Sequence, residues 1–106
     1  MAKRTVVWTE TASRQRRAIL KYWVERNGTT AYAEKLVKLL SQQIKIILSN
    51  PRLFKKSDFP ETYVSALGHF SIYYKFTKDL IIITAFWDNR QDPVKLLNIL
   101  YNSRNA

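Results

Sequence analysis

Four side chains in this sequence have the chemistry to hold or cut a phosphodiester without a cofactor: Arg90, Lys75, Tyr73 and His69. When RNA is cleaved, an arginine or lysine can stabilise the phosphorane while a nearby group moves protons to and from the 2'-hydroxyl. Arg90 is the best placed of the four. It stands in the run LIIITAFWDNRQDPVKLL, where a β-branched strand enters a polar loop and a proline then opens a helix. That context sets one guanidinium at the rim of a sheet, a usual station for a binding or catalytic group on a rigid scaffold. The same loop fits equally a solvated cap, in which Asp88 and Asp92 orient Arg90 or cap the helix after Pro93. Tyr73 titrates too high to act unaided near neutral pH, which suits base stacking or protein contact better. His69, beside Gly68 at a strand start, reads as a turn or edge residue rather than a general base.

The remaining composition excludes most other chemistry. There is no Gly-rich phosphate loop, no metal-ligand spacing and no Ser/His/Asp set, so no cofactor is expected. With no cysteine, disulfides and thiolate metal sites are ruled out and a reducing cytoplasm fits best. Apolar runs such as residues 80–83 fall far below the roughly 20 residues that span a bilayer. The opening MAKRTVVWTE lacks a signal-peptide apolar stretch, and no membrane partner is expected.

The formal net charge of +10 is unevenly spread. Residues 1–56 carry all of the excess, and residues 57–106 balance to zero. Such a field attracts polyanions, whether nucleic acid, a ribosome or an acidic protein, although a solvated helix surface would carry the same charges.

The elements that must position these groups follow from periodicity. Residues 3–9 read as a short strand with Val6 and Trp8 on one side, and Thr9 or Thr11 offers a helix N-cap. A helix then runs to about residue 27, with Ala12, Ile19 and Trp23 on one stripe and Arg14, Arg17 and Lys21 opposite. Asn27 and Gly28 supply a left-handed stop, and Thr29 or Thr30 caps a second helix running to about residue 49. Its wide apolar face holds Ala33, Leu36, Val37, Leu40, Ile44, Ile47 and Leu48, with Tyr32, Leu39 and Ile46 on the flank. So short a connection makes the two helices an antiparallel hairpin.

After a connecting loop with Arg52, Lys55 and Lys56, three strands are predicted over residues 63–67, 70–77 and 80–88. If Lys78 and Asp79 form the turn, Thr77 faces Leu80. Phe70 then pairs with Trp87, Ile72 with Ala85, Tyr74 with Ile83, and Phe76 with Ile81 on a face covered by the hairpin. The other face carries Ser71, Tyr73, Lys75, Ile82, Thr84 and Phe86, and is either open for binding or shielded by the last helix. That helix starts at Pro93 with Val94, Leu97 and Leu100 or Tyr101 inward, and residues 102–106 are expected to fray. The fold class is therefore α+β in a single domain over residues 1–106: an N-terminal strand and helix hairpin on one face of a curved, mainly antiparallel four-stranded sheet, closed by a short C-terminal helix.

This order of elements resembles the RelE/ParE superfamily of bacterial toxins from type II toxin-antitoxin systems, along nearly the whole chain. LGHFSIYYKF is similar to the family's Gly-aromatic strand entry, AFWDNRQDPVKLL to its Arg-Gln-Asp-Pro ending, and TASRQRRAILKYWVERNG with AYAEKL to the ParE-like hairpin. The resemblance implies one of two activities. One branch comprises ribosome-dependent mRNA endoribonucleases, and the other inhibits DNA gyrase without cutting nucleic acid. Both are neutralised by a cognate antitoxin, so a toxin-antitoxin hetero-oligomer, or a homodimer, is implied. Arg90 matches the second arginine of the ribonuclease members, but Ser71 stands where they carry the first. Their terminal Tyr or His proton carrier falls near Leu96 and Leu97, with Tyr101 further on. A ParE-like growth inhibitor is therefore favoured, with Arg90, Ser71, Tyr73, Lys75, Phe86, Lys55 and Lys56 contacting the target. Were the chain a ribonuclease instead, Arg90, Lys75 and Tyr73 would carry the chemistry, without a metal.

Overall fold

The computed structural model describes residues 4–105, apart from the side chains of residues 103–105, so the predicted strand start at Lys3 and the expectation for Ala106 lie outside it. Eight elements follow in order: β1 (Thr5–Trp8), α1 (Glu10–Asn27), α2 (Ala31–Ser49), β2 (Lys55–Lys56), β3 (Tyr63–Leu67), β4 (Phe70–Phe76), β5 (Leu80–Asp88) and α3 (Pro93–Asn105). They build one sheet in the order β1-β5-β4-β3-β2, antiparallel except for the parallel pairing of β1 with β5. The four expected strands gain a fifth, because Lys55 and Lys56, expected in a loop, pair with Val64 and Tyr63.

Local chemistry explains the helix boundaries. Thr9 caps α1 by accepting the Ala12 N–H at 3.1 Å, and Gly28 ends it at φ 70°, a left-handed conformation that costs a side-chain-bearing residue strain. Thr30 stands at the start of α2 without a side-chain cap, and Thr29 instead accepts the Ala31 N–H. From the hairpin, Ala12, Ile19, Leu36, Leu40 and Ile47 bury against Phe70, Ile72, Tyr74, Ile81, Ile83 and Phe86 of the sheet. Tyr32 packs on Trp23, as expected of a core flank, whereas Leu39 and Ile46 on one flank of the buried face of α2, and Val37 on the other, stay exposed.

One bulge rewrites half of the expected β4–β5 register. Next to the turn the pairs are as anticipated, with Tyr74 opposite Ile83 and Phe76 opposite Ile81. Between Tyr73 and Tyr74 the register shifts, so that Thr84 is an extra residue and Tyr73 faces Ala85, Ile72 faces Phe86, Ser71 faces Trp87 and Phe70 faces Asp88. Side chains alternate along a strand, so one inserted residue exchanges the faces of everything beyond it. The Phe86 N–H left by the bulge donates to Gln15 Oε1 at 2.9 Å, and the Thr9 hydroxyl reaches the Thr84 carbonyl at 3.4 Å. The start of α1 thus holds the irregularity in place.

The second sheet face is shielded. A smaller core of Ala85, Trp87 and Leu96, bordered by Phe59, Tyr73 and Leu100, lies under α3. The inward residues of α3 are Leu96 and Leu100, while Val94, Leu97 and Tyr101, expected inward, are exposed. Helix α3 extends to Asn105.

Candidate functional site

Arg90 sits where β5 gives way to α3, and its position is set by Asp88. The Asp88 carboxylate accepts the Arg90 backbone N–H at 3.0 Å, Nε at 2.9 Å and Nη2 at 2.6 Å. Two hydrogen bonds from one planar fork to one carboxylate fix direction as well as distance. The loop is secured on both sides: Asn89 N–H donates to the His69 carbonyl at 2.8 Å, and Asp92 caps α3 by accepting the Val94 N–H at 2.9 Å.

This contact sets the charge state of both partners. Hydrogen bonding to Arg90 outweighs burial and holds the Asp88 carboxyl below the ordinary carboxylate range. The same contact raises the Arg90 guanidinium. Nη1 is the guanidinium nitrogen with no hydrogen-bond partner among the described residues.

Aromatic rings of the hairpin complete the surroundings. The guanidinium lies 4.9 Å from the Trp23 ring centre, that of Arg26 lies 5.9 Å from it, and Trp23 contacts both Tyr22 and Tyr32. Ala18, Ile19, Tyr22 and Trp23 of α1, with Asp88, Arg90 and Gln91, line an open recess of about 500 Å³. An oriented cation beside an exposed tyrosine and a half-buried tryptophan is the composition of a protein-contact hot spot. Trp23 and Tyr32 are legible in the sequence only as core. Their closeness to Arg90 needs the fold, and Tyr22, the exposed ring, has no signal beyond its place on the α1 flank.

The other expected site residues are not gathered around Arg90. Phe86 is fully buried and stacks on Phe70 with ring centres 5.3 Å apart, because the bulge turns it into the main core; it cannot contact a target from there. Ser71 is also buried, its hydroxyl donating to Asn89 Oδ1 at 2.9 Å. Tyr73 faces the smaller core edge-on to Phe59, and burial together with Asp58 pushes its hydroxyl above the ordinary value. Lys75 lines a different cavity of about 410 Å³, bounded by Thr9, Arg14, Phe59, Thr84 and Tyr101. Lys55 and Lys56 are exposed on the edge strand β2. The expected single face of Ser71, Tyr73, Lys75, Phe86 and Arg90 is therefore divided: Arg90 and Phe86 belong to the hairpin side, the other three to the α3 side.

Among the described residues no helix is long and apolar enough to cross a membrane, and no group of three or more His, Asp or Glu comes together to hold a metal. No curated protein matches the sequence. Among solved structures, a chain of the chromosomal ParDE toxin-antitoxin system from P. aeruginosa superposes with a TM-score of 0.68 at 23% identity, over 79% of this chain and 94% of that one. The fold is thus shared with that protein. Residues 6–93 match the family model described as the ParE toxin of the type II toxin-antitoxin system parDE. With most of its length matched, from β1 through the Arg90 loop to the first residue of α3, the chain belongs to the ParE toxin family.

Proposed function

We propose that this protein is the toxin of a type II toxin-antitoxin module, that it stops growth in the cytoplasm by binding DNA gyrase, and that a cognate antitoxin neutralises it. The observation that carries the reading is the division of the site. A ribonuclease would need Arg90, Lys75 and Tyr73 around one phosphate, yet Arg90 is clasped by Asp88 against Trp23 while Lys75 and Tyr73 face the α3 side of the sheet. What surrounds Arg90 suits a partner protein: an exposed tyrosine, an indole and one unoccupied guanidinium nitrogen. The antitoxin would cover the exposed Leu39 and Ile46, which share one flank of α2.

Supercoiling by purified gyrase, assayed beside the integrity of ribosome-bound message, tests this reading. Supercoiling should be blocked with the message intact, and Arg90→Ala with Tyr22→Ala should relieve the block. Message cut by the protein, with cutting abolished by Arg90→Ala, would replace gyrase binding with ribosome-dependent RNA cleavage.

A further inference from the structure

At the turn end of the sheet, away from the β5–α3 loop that holds Arg90, cations from distant parts of the chain converge on one aromatic ring. Arg4 precedes β1 and Arg52 follows α2, yet both guanidiniums lie over the same Phe76 ring, at 5.4 Å and 5.0 Å from its centre. Arg4 is further held by donating from Nε to the Thr77 carbonyl at 2.7 Å. Phe76 in turn contacts Tyr63, whose backbone neighbour on the edge strand is Lys56, while Lys55 alternates to the opposite face with Val64. Lys78 lies in the adjoining turn. Arg4, Arg52, Lys56 and Lys78 have no ion-pair partner among the described residues, where Arg14, Lys21 and Arg90 do. The acids closest along the chain are Asp79, in the turn beside Lys78, and Asp58 and Glu61, in the loop beyond β2; Asp58 acts on Tyr73 at the other face.

We propose that this edge, formed by Arg4, Arg52, Lys56 and Lys78 beside Phe76, binds the phosphate backbone of duplex DNA. Four unpaired cations along one edge match a dense linear polyanion, and the two guanidiniums braced on a ring are preset to fork onto phosphate oxygens. An acidic peptide is the poorer fit. It would be expected to extend the sheet by strand addition, but β2 offers two residues of ladder, both lysines, and such edges repel added strands. This surface goes beyond the gyrase reading and does not depend on it, although a protein acting on a DNA-bound enzyme would gain from touching the DNA as well.

Fluorescence anisotropy of a short labelled duplex, titrated with the full chain at several salt concentrations, tests the proposal. Arg52→Glu with Lys56→Glu should weaken binding at least about tenfold and lower the salt slope by about 2, near one unit per lost phosphate contact. Arg17→Glu with Lys38→Glu, which alters net charge equally on the helix surfaces, should weaken it far less. Circular dichroism of both variants controls for folding. Equal losses in the two variants would mean a general field without a site, poly-glutamate competing as well as DNA would mean an acidic-protein surface, and absence of binding to the unmodified chain would end the idea. Gyrase inhibition is read separately, so either conclusion can fail while the other stands.

Discussion

Arg90 and Asp88 are joined at two points, at 2.9 Å and 2.6 Å, in an unequal pair whose carboxylate side chain is 10% exposed and whose guanidinium is 49% exposed. Asp88 is thereby an anchor and Arg90 a presented group. Removing Arg90 strands a nearly enclosed carboxylate, whereas removing Asp88 frees a cation already in water. Loss of target binding on Arg90→Ala must therefore be read beside a thermal melt.

The pair also gives acid sensitivity of defined sign. Because the folded Asp88 carboxyl lies below its ordinary value of 3.8, its stabilisation is complete above that value and is lost as pH falls through the lower folded one. Melting temperatures of the unmodified protein and Asp88→Asn should differ at neutral pH and converge in strong acid. A gap that persists there would show that Asp88 stabilises by something other than its charge.

Gln15 should matter more than a half-buried glutamine on a helix ordinarily would. Its Oε1 is the acceptor for the Phe86 N–H beside the bulge, so Gln15→Ala leaves a backbone donor without its partner at a cost of about 1–3 kcal/mol. Urea denaturation measures this, and Gln15→Glu, which keeps the acceptor, should recover most of it.

Phe86→Ala should lower stability by about 3–5 kcal/mol, as for a phenylalanine removed from a packed core. If the residue were a surface contact, the same substitution would leave the urea midpoint in place and weaken only target binding.

At alkaline pH the sensitive group is Tyr74. Its hydroxyl donates to the Pro51 carbonyl at 2.6 Å, and burial, with Tyr63 adding to it, pushes its pKa up to about 12. A raised folded value means that the stabilisation is full below the ordinary 10.0 and is lost as pH rises from there through about 12. Ultraviolet titration should show this tyrosine ionising late, and Tyr74→Phe should flatten the loss of stability across that window.

The sequence carried the elements and the family well, and the site poorly. Thr9, Gly28 and Pro93 punctuate the chain by local chemistry, so α1 and the starts and stops around it are readable from neighbours alone. The Lys78–Asp79 turn likewise fixes the nearest pairs of β4 and β5. Beyond Thr84 the reading fails, because a bulge stabilised by Thr9 and Gln15 depends on residues about 70 positions away, and alternation then assigns Phe86 and Trp87 to the wrong faces. The same long-range dependence hides the recess beside Arg90: Tyr22 and Trp23 come near it only once α1 lies on β5. Leu96 is hard to single out on α3 because its apolar residues, Val94, Leu96, Leu97, Ile99, Leu100 and Tyr101, are spread around the helix axis and leave no single inward stripe.

The parallel seam between Thr5–Trp8 and residues 80–83 has a consequence for synthesis. The first strand to leave a ribosome finds its mate among the last, so the sheet cannot close until nearly all of the polypeptide has emerged. A nascent chain thus lacks the closed sheet for most of its translation, and with it the rigid end of β5 from which the Arg90 loop departs.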